Sequence, residues 1–165
     1  MGRELPGSEN AQMAETELNV PSFHGDFRYG IDDSRRVMIP AKWRPKDPSV
    51  VFTVILWPIG VEDFLLVLPP ERWQVMLDKL KAKSLHDKRV ATLERVIGAT
   101  SAPLTLDRVG RFVLPEHLAK PAGIEKEAQF VGRLDKFEMW SPVRYQAANA
   151  DDKSMAASVA AEIDL

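Results

Sequence analysis

Ile31-Asp32-Asp33-Ser34-Arg35-Arg36-Val37-Met38-Ile39-Pro40 and Leu106-Asp107-Arg108-Val109-Gly110-Arg111-Phe112-Val113-Leu114-Pro115 share one pattern, apolar-Asp-x-x-x-Arg-apolar-x-apolar-Pro, at an offset of 75 residues. A second pair follows in the same order at an offset of 72. It aligns Leu65-Leu66-Val67-Leu68-Pro69-Pro70-Glu71-Arg72-Trp73 with Phe137-Glu138-Met139-Trp140-Ser141-Pro142-Val143-Arg144-Tyr145. Both members read as a strand followed by Pro in the first turn of a helix, where its missing N–H costs nothing. Two matched blocks in one order imply two copies of one supersecondary unit.

Worked outward from these blocks, each copy reads as strand, tight turn, strand, one helical turn, strand, turn, strand, helix. The first copy predicts strands at 23–30, 36–39, 50–56 and 64–68, with a helical turn at 41–44. The second predicts strands at 101–106, 111–114, 128–132 and 137–140, with a helical turn at 116–120. Amphipathic helices are expected over 70–83, with Trp73, Met76 or Leu77, and Leu80 on one face, and over 87–97, with Val90, Leu93, Val96 and Ile97. A half this small cannot bury enough apolar surface alone. The expected architecture is therefore α+β and β-rich: one domain over 21–147 whose halves, 21–84 and 99–147, share a core about a pseudo-twofold axis, joined by a helix at 86–98.

Composition narrows the function classes. The 165 residues hold no cysteine, which excludes disulfides, thiolate metal sites and cysteine nucleophiles. Residues 1–20 show no apolar run of the kind a signal peptide needs. The longest apolar stretch, around 50–68, is interrupted by Trp57-Pro58, Gly60, Glu62 and Asp63, so no membrane span is expected. The net charge of −2 divides unevenly. Residues 1–20 set Arg3 against four glutamates, and residues 148–165, rich in Ala, set Lys153 against four carboxylates, which leaves the core at +4. Both ends read as mobile acidic tails. A modestly cationic core is compatible with DNA without demanding it.

The turn carries the specific chemistry. In Asp107-Arg108-Val109-Gly110-Arg111 the carboxylate can accept backbone N–H groups two residues on, and Gly110 can supply a positive φ. In Asp32-Asp33-Ser34-Arg35-Arg36 an arginine replaces that glycine, at a cost of roughly 1 kcal/mol in the left-handed region. Either that turn differs, or the Arg35 guanidinium compensates by binding something. One such turn alone reads as structural, since an exposed Asp–Arg pair contributes only about 0–1 kcal/mol. Two copies, beside Arg28, Lys42, Arg44 and Lys46, favour a binding role. Arginines at a rigid tip suit bidentate contact with guanine or phosphate.

Other features carry less. His24, His86 and His117 are too scattered for a metal site, Ser101 and Ser141 lack a nucleophile context, and no glycine pattern cradles a phosphate. No enzyme, cofactor or small-molecule substrate is expected. Trp43, Trp73 and Trp140 are expected in the core, whereas Trp57 is expected to be exposed or placed between subunits. The apolar strands at 50–55 and 64–68 are expected to offer an edge to another protomer.

These residues also carry a resemblance. Phe23-His24-Gly25-Asp26-Phe27-Arg28, then Ile31-Asp32 through Arg36-Val37-Met38-Ile39-Pro40-Ala41-Lys42-Trp43-Arg44, is similar to the first half of the MraZ family. Leu106-Asp107 through Gly110-Arg111-Phe112-Val113-Leu114-Pro115, with Ala122-Gly123-Ile124 and Phe137-Glu138-Met139-Trp140, resembles its second half. The likeness spans about 23–145, with both acidic tails expected to extend beyond it. It implies a tandem version of the swapped-hairpin barrel of AbrB-type transcription regulators. It also implies a cytoplasmic, nucleoid-associated homo-oligomeric ring that binds double-stranded DNA at short direct repeats upstream of the cell-division and cell-wall genes. By the resemblance, DNA contact falls to Arg36 and Arg111, with Arg35 and Arg108 as neighbours; Asp32, Asp107 and Gly110 form the turns. Arg35 stands where the family usually has glycine, and residues 55–60 depart from its shorter turn. A ring-forming protein-interaction scaffold that does not bind DNA is the alternative reading.

Overall fold

The computed structural model describes residues 21–165, and the expected N-terminal tail at 1–20 lies outside them. The first copy supplies strands β1 (Asp26–Gly30), β2 (Arg36–Met38), β3 (Val51–Trp57) and β4 (Phe64–Leu68), with a single 3-10 turn at Ala41–Trp43. Helices α1 (Pro70–Ser84) and α2 (Val90–Ala99) follow. The second copy supplies β5 (Ser101–Thr105), β6 (Arg111–Val113), a short helix α3 (Glu116–Ala119), β7 (Glu127–Gly132) and β8 (Phe137–Trp140). Helices α4 (Pro142–Ala148) and α5 (Asp152–Glu162) close the chain. The result is a β-rich α+β protein.

A six-stranded antiparallel sheet runs β1-β7-β8-β4-β3-β5, and a separate two-stranded ribbon pairs β2 with β6. Every strand of one copy pairs with a strand of the other: β1 with β7 and β3 with β5, and, each with its own counterpart, β4 with β8 and β2 with β6. Only the hairpins β3–β4 and β7–β8 form within a copy. Neither copy can therefore complete its sheet alone.

The central strands are apolar on both faces because both faces are covered. Phe52, Val54, Leu56, Leu65 and Val67 point into the main core with Phe23, Trp43, Phe112, Phe130 and Phe137. Ile55, Phe64, Leu66 and Leu68 point the other way, onto Ile97 and Trp140, with Trp73, Met76 and Leu80 of α1 packed against them. This corrects the expectation that β3 or β4 offers an edge to another protomer. Both lie inside the sheet, whose edges are β1 and β5. A continuous apolar run marks a strand buried on two sides as readily as an exposed edge. Trp57 is likewise half-buried against this second cluster rather than exposed at a loop tip.

Two helices differ from expectation. The α2 segment starts later than 87, because the Asp87 carboxylate accepts the Arg89 backbone N–H at 2.9 Å and holds a turn before the helix begins. Of its predicted inward face only Ile97 is buried, while Leu93 and Val96 remain more than a third exposed. The acidic C-terminal stretch, expected to be a tail, is helical over Asp152–Glu162, with its side chains almost all exposed.

Candidate nucleic-acid interface

The two turns have the same hydrogen bonds. At the first, Asp32 Oδ1 accepts the backbone N–H of Ser34 at 2.9 Å and of Arg36 at 2.8 Å, while Oδ2 accepts Arg36 Nε at 2.8 Å. At the second, Asp107 Oδ1 accepts Val109 N–H at 3.0 Å and Arg111 N–H at 2.9 Å, while Oδ2 accepts Arg111 Nε at 2.9 Å. One carboxylate thus shapes the backbone with one oxygen and orients the guanidinium with the other. The backbone N–H of Arg36 holds the Asp32 carboxyl below its ordinary range, and that of Arg111 does the same to Asp107. These bonds favour the ionised carboxylate at each turn.

The left-handed residue is also matched. Arg35 sits at φ +62° and Gly110 at φ +85°, so the arginine does not change the turn. Its guanidinium compensates internally, Nε donating to the Leu114 carbonyl at 3.1 Å. At the second tip Arg44 lies across Gly110, where an added Cβ would clash with its Nε. Arg44 Nη2 in turn approaches Met38 Sδ at 3.0 Å. Crosswise bonds join the turns: Leu114 N–H donates to the Arg35 carbonyl at 2.9 Å, and Ile39 N–H to the Gly110 carbonyl at 3.0 Å. Each tip is therefore braced by the strand of the other copy.

The ribbon register decides where the arginines point. Arg36 pairs with Val113, Val37 with Phe112, and Met38 with Arg111. Strand alternation puts Val37 and Phe112 in the core, and Arg36, Met38, Arg111 and Val113 together on the outer face. Arg36 and Arg111 are diagonal neighbours across the ribbon, a spacing of roughly 7–8 Å. Both line one shallow cavity of about 220 Å³ with Thr105, Leu106 and Asp107. Their side chains are 41% and 33% exposed, enough to reach a ligand while remaining oriented. Within each side chain Nε bonds its own aspartate, and the terminal nitrogens have no hydrogen-bond partner among the described residues.

The remaining predicted residues are spread around this face. Arg108 is exposed at the apex of the second tip, where the first has Asp33. Arg28, on the sheet edge β1, donates from Nε to Gln129 Oε1 at 3.2 Å. Lys42, Arg44 and Lys46 are exposed after the first tip. Sequence reasoning missed Met38 and Val113, the latter 59% exposed. Period-two alternation from Arg36 and Arg111 was the signal that would have found them. No cluster of His, Cys, Asp and Glu able to hold a metal occurs among the described residues, and no helix there is long and apolar enough to cross a membrane.

Fold and site define an α+β protein that displays two Asp-braced arginine turns on one ribbon. The family model described as "MraZ protein, putative antitoxin-like" matches residues 97–164. A transcriptional regulator MraZ of Lachnoclostridium phytofermentans is 32% identical over 144 residues, 87% of this chain and 98% of the relative. Proteins of the same name from Lactiplantibacillus plantarum and Thermomicrobium roseum are each 32% identical, over 79% and 76% of this chain and 94% and 85% of theirs. The chain belongs to the MraZ family. The match to residue 164 corrects the expectation that likeness stops near 145, since α5 lies inside the matched region.

Proposed function

We propose that this chain is a sequence-specific DNA-binding transcriptional regulator that reads double-stranded DNA with Arg36 and Arg111, flanked by Arg35 and Arg108. The observation that carries the reading is the ribbon's outer face, which holds both arginine side chains, partly exposed and each fixed at Nε by its own aspartate. A guanidinium so oriented can offer a fork of donors to guanine O6 and N7. Met38 and Val113 beside them can contact a thymine methyl. Arg35, tied to Leu114, serves the turn first and phosphates second. The relatives' name, transcriptional regulator MraZ, supports the class.

The architecture that fits this role is a pseudo-twofold double swapped-hairpin barrel of the AbrB type, built as one domain over 21–147. The cross-copy strand pairing and the sheet order, which reads the same when the copies are exchanged, favour it. Direct repeats upstream of the cell-division and cell-wall genes would then be engaged by several copies in a ring, with affinity gained through avidity. Such a protein works in the cytoplasm at the nucleoid, without a cofactor and without catalysis. The test is fluorescence anisotropy against the DNA upstream of the chain's own gene. Replacing Arg36 and Arg111 together with Ala should weaken binding by more than about 100-fold, given roughly 1–3 kcal/mol per bidentate contact. The oligomer, checked by sedimentation, should be unchanged. Wild-type affinity in the double variant would refute the assignment to the tips, and the absence of any salt-sensitive DNA binding would favour the scaffold.

A further inference from the structure

The two copies treat one loop differently. In the second copy the loop between α3 and β7 sends Ala122 and Ile124 into the main core, both almost wholly buried. The matching loop of the first copy, Lys46-Asp47-Pro48-Ser49, is exposed throughout and sends in no apolar side chain. At that place lies a groove of about 550 Å³, walled inside by Phe23, Trp43 and Phe52 and outside by Lys42, Arg44 and Lys46. Two carboxylates, Asp47 and Glu71, share the rim, leaving it net cationic. That of Asp47 is occupied by Ser49, whose N–H and hydroxyl donate to it at 2.9 and 2.7 Å. Pro21, where the described chain begins, lines the same groove.

We propose that residues 13–20 of the same chain dock in this groove. Leu18 and Val20 would supply the apolar fill that Ala122 and Ile124 give the other copy, while Glu15 and Glu17 neutralise Lys42, Arg44 and Lys46. The connection favours this occupant. Val20 adjoins a groove residue, and six residues of chain reach about 20 Å, enough to carry Glu15 across it. Charge favours it too, because residues 1–20 carry −3 opposite a cationic rim. Arg44 touches the second tip at Gly110, so an acidic segment held there lowers the positive potential beside that tip. This second step rests on the DNA reading; the docking itself does not.

The chain lacks cysteine, so paired cysteines report proximity cleanly. In the full-length protein, Thr16→Cys with Lys46→Cys should form a disulfide at least about tenfold faster than Thr16→Cys with Leu134→Cys. Leu134 is a fair control, being exposed and bridged to Phe23, hence close to the segment's exit but off the groove. Pro45→Cys replaces Lys46→Cys should the latter fold poorly. Equal rates overturn the docking. A product of doubled mass places the segment on a neighbouring copy and overturns it as well. For the second step, Glu15→Gln with Glu17→Gln should raise affinity for random-sequence DNA by about threefold at low salt. Unchanged affinity overturns the screening. Fast cross-linking in a protein that binds no DNA upholds the docking and refutes the DNA reading instead.

Discussion

The two tips reach one backbone by different means. The second uses Gly110 at its left-handed position, with Arg44 lying over the space that a side chain would need. The first uses Arg35, whose strain is offset by a bond from its own guanidinium to the Leu114 carbonyl. Their outer charges differ as well, with Asp33 at the first apex and Arg108 at the second. The Asp–Arg brace is common to both, and the crosswise bonds through Arg35 and Gly110 carbonyls hold the tips to each other. The turn's shape therefore depends on the aspartate and the opposing strand more than on glycine. Glycine matters only where a neighbour crowds it.

The largest effect that would sharpen this contrast is on DNA. Arg36→Ala and Arg111→Ala singly should each weaken binding by roughly tenfold, from about 1–3 kcal/mol per contact. Losses differing by more than an order of magnitude in titration against one operator would break the equivalence of the tips. Next comes exchange at the left-handed position. Gly110→Arg should destabilise by roughly 2 kcal/mol, from backbone strain plus displacement of Arg44. Arg35→Gly should be near neutral in urea unfolding, because relief of strain balances a lost hydrogen bond of about 1 kcal/mol. Equal costs at both positions would contradict the account given for Arg35.

A smaller effect concerns acid. Because Asp32 and Asp107 have lowered pKa values in the folded state, the stability they add is present above the ordinary aspartate value of 3.8 and is lost as pH falls through the folded values. Amide exchange at Arg36 and Arg111 should accelerate together below that pH, ahead of the core strands. Protection persisting to the global transition would show the brace to be unnecessary. The smallest effect is at a second matched pair. Glu62 and Leu134, at an offset of 72, both sit at positive φ in the β3–β4 and β7–β8 turns. Leu134 is largely exposed, so Leu134→Gly should stabilise by no more than about 1 kcal/mol, readable as a small rise in Tm.

Much of the fold was legible because its signals are local or repeated. The doubled Asp-x-x-x-Arg pattern located both turns, the Pro69-Pro70 and Ser141-Pro142 pairs located two helix starts, and β4 and β8 begin and end where the matched blocks place them. The partners of these strands were not legible. Phe64–Leu68 has the same composition whether a second protomer or α1 covers it, and only the chain path settles which. Leu93 and Val96 have helical spacing toward a core, yet the placement of α2 buries Ile97 alone.

For the site, the sequence by itself determined the turn chemistry, because an aspartate reaching its own following N–H groups is a matter of a few bonds. It also determined that Arg36 and Arg111 hold equivalent places in two copies. Only the tertiary structure decided that those arginines share a face, since this depends on β2 pairing with β6 across 75 residues in the register Met38 opposite Arg111. A shift of one residue in either strand would put the two arginines on opposite faces. It likewise decided that Arg35 bends back to Leu114, a contact between atoms 79 positions apart that no local pattern encodes.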